Sequence, residues 1–421
     1  MHILLLTMIY TPDRTGIAPL TTELCEYLTA HGHKVSVITT FPHYPEWKIR
    51  EDYKDKLWLR ETIGGVDVYR GWVYLPPERT SLNRIIYDTT FAVSSLLWGL
   101  QIPDVDVILA LTPPLQAGVT ASILGKIKGA PLVLQVQDLL PDLAVALGML
   151  RNKFAIKCAS LMEKYLYRKA SAVTVVCQGF LDNIKRKGVP ESKLLLIPNW
   201  VDTAFIRPTD RNGKFRAQFN LTEDQFLVLH TGNMGAKQKL TVALDAAAKL
   251  QDHKRVLFLL VGDGIEKSAL EEYARRRRLR NVRFLPLQPR EQLPEMLSAA
   301  DVLLLNQSAA VVDMVIPSKL LMYMSAGRAI VAGVNPSSEA ADCIRRAGCG
   351  VVVPPEDADA LAKATHDIYC NPERAERAGK NGRAFAERHF AQEAILGRCE
   401  DLLLQIAQIS REKQATAHRA P

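Results

Sequence analysis

The sequence has no apolar run of about 18 residues, the length a helix needs to cross a bilayer, so none of it reads as a membrane span. Its 7 cysteines include no CxxC pair and no metal-ligand spacing. Thiols scattered this way read as reduced and mostly buried, as in a cytoplasmic protein. The GxGxxG dinucleotide fingerprint and the GxxxxGK[ST] phosphate loop are both missing. No basic stretch is interleaved with aromatics, so no nucleic-acid platform is expected. The densest basic run, RRRR at 275–278, reads as a solvated helix face. The opening MHILLLTMIYTPD lacks a charged leader and a small-residue cleavage site, and reads as a first strand.

What is present is ordinary soluble material in quantity. The chain has 421 residues, 48% of them hydrophobic and 23% charged, enough for two cores. A net charge of +8 suits an anionic partner such as a nucleotide or a phospholipid surface. Two stretches could lie on a membrane face: FAVSSLLWGL at Phe91–Leu100, and the amphipathic, basic segment Lys153–Lys169.

Short apolar strands alternate with helical segments, the pattern of a doubly wound α/β sheet. Strands are expected at His2–Met8, Lys34–Thr39, Val66–Trp72, Val105–Ala110, Leu132–Val136, Ala172–Val176 and Leu194–Ile197. The pattern breaks near NWVDTAFIRP (Asn199–Pro208) and restarts. Further strands are expected at Phe226–His230, Val256–Val261, Val282–Leu285, Val302–Leu305, Ala329–Val334 and Gly350–Val353. The reading is two Rossmann-like domains, 1–200 and 201–390, facing across a cleft. A last helix near Gln392–Ile409 follows (domain segment 391–410), with a disordered polar tail over 411–421.

Ligands of such sheets bind at the carboxyl ends of strands. In the first half, TPDRTGIAP places Gly16 where a backbone can approach a ligand ahead of a helix N-terminus. FPHYPEW holds His43, Tyr44 and Trp47, a rigid aromatic loop that lines a sugar or acceptor site, or packs as a surface connector. QVQDLLPD ends a strand with Asp138, an acid placed to act on a sugar hydroxyl or to cap a helix. In the second half, TGNMGAKQ offers Gly232, Asn233, Gly235 and Lys237 to a phosphate. A second turn, VGDG, brings Gly262 and Gly264. In VVDMVIPSKLL, Asp313 precedes a proline suited to a first helical turn, and Ser318 and Lys319 follow it. A cation in a first turn is unfavourable unless it meets an anion. A diphosphate at that helix N-terminus would supply one.

Taken together, YTPDRTGIAPLTTEL, FPHYPEW, QDLLPD, IPNWVD, TGNMGAKQKL, LVGDGIEKSALE, FLPLQPREQLPEML and VIPSKLLMYMSAGR resemble, in this order, the retaining GT-B glycosyltransferases of family 4. The similarity is greatest to the exopolysaccharide group of the colanic acid type and runs over about residues 1–410. The resemblance implies a nucleotide-sugar donor, no cofactor and no metal. It implies Lys237, Lys319 and the amides near Gly16 and Ser318 on the leaving diphosphate, the base against Leu285–Leu287, and Asp138 near the reacting sugar. It also implies a last helix that crosses back to the first domain. Three positions depart from the common pattern: Gln137 replaces a histidine, Asn233 an arginine, and Met322 a ribose-binding carboxylate. The expected function is transfer of a sugar to a glycan, carried on polyprenyl diphosphate, in exopolysaccharide synthesis at the cytoplasmic face of the inner membrane. A catalytically silent binding subunit and a nucleotide-sugar epimerase are the alternatives.

Overall fold

The computed structural model describes all residues except 15, 45, 79, 147–149, 151, 311–315 and 418–421. Its chain falls into two compact units, Met1–Pro198 with Ala394–Pro421, and Asn199–Glu393.

The first unit is built on eight strands: β1 (His2–Leu6), β2 (Lys34–Thr40), β3 (Trp58–Ile63), β4 (Val66–Gly71), β5 (Val107–Thr112), β6 (Leu132–Val136), β7 (Ala172–Val175) and β8 (Leu194–Leu196). Their order is β3-β4-β2-β1-β5-β6-β7-β8, so the winding reverses between β1 and β5. HILLL, VILALT and LVLQV are buried along their whole length. Runs of this kind suit parallel strands covered on both faces by helices. The strand β3 was not expected from sequence. It runs antiparallel to β4 at the sheet edge, joined through Gly64 and Gly65, both in the left-handed region that a two-residue hairpin turn requires.

The last helix, Gln392–Ala417, continues past Ile409, so residues 410–417 are helical where a disordered tail was expected. Polar anchors hold it on the first unit. His33 donates to Glu400 at 2.9 Å, Arg398 donates to the Leu196 carbonyl, Arg411 pairs with Asp106, and Gln414 donates to the Gly129 carbonyl.

The second unit carries β9 (Phe226–Asn233), β10 (Val256–Asp263), β11 (Val282–Leu285), β12 (Val302–Asn306), β13 (Ala329–Gly333) and β14 (Gly350–Val353). They are parallel, in the order β11-β10-β9-β12-β13-β14. Residues alternate between two cores. Leu227, Leu229, Leu303 and Leu305 face one side, while Val228, Phe258, Leu260 and Leu304 face the other. The winding reverses between β9 and β12, the place where such sheets open a crevice.

Candidate functional site

The crevice of the second unit is visible in the strand register. β9 pairs with β10 along its whole length, up to Gly232↔Gly262 and Asn233↔Asp263. Its pairing with β12 covers only Val228↔Val302 and Leu229↔Leu303. Beyond Leu229 the two strands part. Tyr323 fills the gap: its hydroxyl accepts from the Thr231 amide at 3.3 Å and reaches the Leu304 carbonyl at 3.4 Å. It is wholly buried.

Tyr323 lies on the helix Ser318–Ser325, four residues after Lys319, so both project from one face. With Tyr323 wedged in the crevice, Lys319 reaches its mouth. Lys319 Cε and Nζ lie 3.6 Å from the point a Cβ would occupy on Gly232, whose φ of +105° favours glycine. Burial pushes the Lys319 ammonium down to about 8. Among the described residues no carboxylate pairs with it. Below it lies His230, 1% exposed, with its Nδ1 unpartnered. Burial first and the Lys319 charge second hold this imidazole neutral. Pro317 stands as the residue before the helix, not in its first turn, and among the described residues no side chain caps the N-terminus. The amides of Ser318 and Lys319 therefore remain available to a ligand. A lysine charge beside uncapped helix amides is an arrangement that suits an anion.

The surrounding loops are tied to one another. The Met234 amide donates to the Asp263 carbonyl at 2.8 Å. A Cβ on Gly262 would come within 1.9 Å of the Gly232 carbonyl oxygen, and one on Gly264 within 2.4 Å of the Met234 oxygen. These glycines thus let two strand-end loops abut. Gln238 accepts from the Gly235 amide at 3.2 Å, which closes the Asn233–Gln238 turn. Asn306, at the end of β12, donates to the carbonyls of Gln238 and Lys239 at 2.8 and 2.9 Å, and the Ser308 amide donates to Lys237. Lys237 itself is exposed on this turn. Leu287 is 66% exposed beyond the end of β11. Met322 packs against the core. Asp313 lies outside the described residues. Asn306 and Tyr323, which hold the site open, were not singled out from the sequence. Tyr323 stands within VIPSKLLMYMSAGR, but both residues act through contacts made only on folding.

Gly16, His43, Tyr44, Trp47 and Asp138 lie in the first unit, in loops that follow β1, β2 and β6. Asp13 ties two of these loops by accepting from the Tyr44 amide at 3.4 Å. Burial raises its carboxyl to about 6. The ring of His43, expected to line an acceptor site or to pack in a connector, is buried, with Nδ1 donating to the Phe41 carbonyl at 2.8 Å and Nε2 accepting from Tyr87 at 2.7 Å. It fastens β2 to the helix Ser81–Gln101, and the Trp47 ring packs against both partners. Tyr44 is half-buried and flanks Gly16, with its ring 3.5 Å from where a Cβ on Gly16 would lie.

Comparison with known proteins identifies the family and the fold. Residues 212–385 match the family described as glycosyl transferases group 1, and residues 15–200 match the glycosyl transferase 4-like domain. The chain is 32% identical over 404 residues to the colanic acid biosynthesis glycosyl transferase WcaI of Escherichia coli (strain K12), covering 94% of this chain and 98% of that one. Sucrose-phosphate synthase from Thermosynechococcus elongatus superposes with a TM-score of 0.72 at 21% identity, over 99% of both chains. HepE of Anabaena, solved in complex with UDP, gives 0.71 at 17% identity, over 96% of this chain and 100% of that one. The two wound sheets are those of the GT-B fold, and the chain belongs to the group 1 glycosyltransferases, transferases with a 4-like N-terminal domain.

Proposed function

We propose that this transferase moves a sugar, with retention, from a nucleotide-sugar to a lipid-linked glycan in cell-surface polysaccharide synthesis. The observation that carries the reading is Lys319 at the mouth of the β9/β12 crevice, desolvated and facing Gly232. As the bond from the anomeric carbon to the diphosphate breaks, negative charge grows on the departing phosphate. A fixed ammonium and two helix-terminal amides meet that charge without reorganising. The exposed Lys237 adds a second cation from the neighbouring turn. Neither a cofactor nor a metal is invoked. That HepE was solved in complex with UDP supports a nucleotide-bearing donor. The relation to WcaI supports a role in polysaccharide synthesis.

The acceptor part rests on the first unit. Along the helix Ser81–Gln101, the exposed side chains Leu82, Ile85, Ile86, Val93, Leu97 and Leu100 fall on one face at helical spacing. The helix Leu115–Lys128 packs beside it and exposes Ile123 and Ile127. The next helix in this layer, Lys153–Lys169, exposes Phe154 and Leu161 among Lys157, Lys164 and Arg168. An apolar ridge flanked by cations suits an anionic membrane surface, where a polyprenyl-diphosphate acceptor would reside. Among the described residues no helix is long and apolar enough to cross a membrane.

The test is incubation with UDP-, GDP- and ADP-sugars and polyprenyl-diphosphate glycans. Turnover with one donor and the same anomeric configuration in product is expected. Binding without turnover for every pair would favour the silent-subunit reading.

A further inference from the structure

A cavity of about 1120 Å³ opens at the amino ends of the second unit's strands, the sheet edge away from Lys319. Phe226, the first residue of β9, Asp301, just before β12, and Ala329, the first of β13, form its floor. One wall is the helix Pro372–His389.

Four carboxylates line the cavity, and a lining cation holds each: Arg211 with Asp301 at 2.6 Å, Arg255 with Asp224 at 3.7 Å, Lys380 with Glu376 at 2.6 Å and Arg383 with Glu387 at 2.7 Å. One guanidinium is left over. Arg328 makes no ion pair among the described residues, and its Nε is buried without a hydrogen-bond partner. The nearby Asp301 is already shared between Arg211 and Arg216. Arg383 is spent on the carbonyls of Ile206, Ser325 and Thr203. A free guanidinium offers a planar fork that fits one oxyanion. Beside it, Phe226 and Tyr369 meet edge to face at 5.2 Å, and Pro208, Pro372 and Ala375 add apolar wall. A charged fork, an aromatic wall and a volume of this size describe a small-molecule site rather than an ion site.

We infer that this cavity binds a small organic acid, with its carboxylate or phosphate monoester on Arg328 and an apolar body against Phe226 and Tyr369. The site stands at the far end of the helix that begins with Ser318 and Lys319, so it is separate from the donor crevice.

Calorimetric titration of the full chain with benzoate and with phenyl phosphate, in excess UDP, tests the inference. Saturable binding of at least one probe is expected. It should weaken by about tenfold or more in Arg328→Gln and persist in Lys319→Ala. No saturable binding of either probe would overturn the site, as would equal affinity in Arg328→Gln. Loss in Lys319→Ala would move the probe to the donor crevice and overturn it too. Should Arg328→Gln fail to fold, crystals soaked with 4-bromobenzoate decide: bromine beside Phe226 and Tyr369 supports the site, and its absence there rejects it.

Discussion

Lys319 and Gly232 meet where β9 and β12 part, with the lysine's Cε and Nζ 3.6 Å from the place a glycine Cβ would take. The pairing matters because the lysine arrives without an acidic partner among the described residues. Its ammonium is poised for an anion that no described residue supplies. Replacing it by alanine should lower kcat/KM by about 10²–10³, the scale of losing one transition-state charge partner. Steady-state kinetics with the active donor measure this. An unchanged kcat/KM would remove the lysine from the reaction.

The same burial has a pH signature. The folded lysine titrates near 8, below its ordinary 10.5. Below pH 8 both folded and unfolded chains hold the proton, and the folded state bears the full desolvation cost. Between 8 and 10.5 the unfolded chain binds more protons, so the wild type gains stability as pH rises. Lys319→Met should therefore be more stable than wild type at pH 7, by about 1–3 kcal/mol, with the gap closing toward pH 10.5. Denaturant unfolding across this range reads it. A gap that is constant or widens with pH would contradict the burial argument. A bound diphosphate should restore the proton, so nucleotide binding near pH 8.5 is expected to take up protons from buffer.

Gly262 provides a test of loop packing. Alanine there would place its Cβ 1.9 Å from the Gly232 carbonyl oxygen, at a φ of +151°. Backbone cannot yield as a flexible side chain can, so the β9 and β10 loops must separate. The expected cost is about 3 kcal/mol or more, with loss of nucleotide binding. Melting curves and nucleotide titration of Gly262→Ala check both. Wild-type behaviour would mean that the loops rearrange freely.

Much of this architecture was legible because buried parallel strands are written as short apolar runs. HILLL, VILALT and FLVLHTGN announce themselves without knowledge of their neighbours. β3 did not, because WLRETI lies at an edge and buries no residue fully. The final turns of the last helix read as a polar tail because Arg411 and Gln414 find their partners only in the folded unit. In the candidate site, Lys319 was legible from Pro-Ser-Lys, a local helix-start pattern. Tyr323 and Asn306 were not, since a buried hydroxyl and an amide that bridge strands look like ordinary helix and strand residues in sequence. His43 shows why the aromatic loop reads two ways. An aromatic-rich loop has the same composition whether it faces a ligand or, as here, packs on Tyr87.

The ridge on Ser81–Gln101 carries the last prediction. Val93 is 56% exposed and Leu97 46%, both on the face shared by Leu82 and Leu100. Side chains this exposed gain little from the fold, so Val93→Glu with Leu97→Glu should lower the melting temperature only slightly. On a bilayer the same positions would bury apolar area, worth about 1.5–3 kcal/mol for each fully buried side chain, and the new acids would meet anionic headgroups. Binding to phosphatidylglycerol-containing vesicles is therefore expected to fall by about tenfold or more. Lys157→Glu with Lys164→Glu should weaken binding chiefly at low salt, where surface charge is least screened. Co-sedimentation at two ionic strengths separates the two effects. If the Val93/Leu97 variant still partitions as the wild type does, the ridge does not rest on the membrane, and the lipid-linked acceptor loses its structural support.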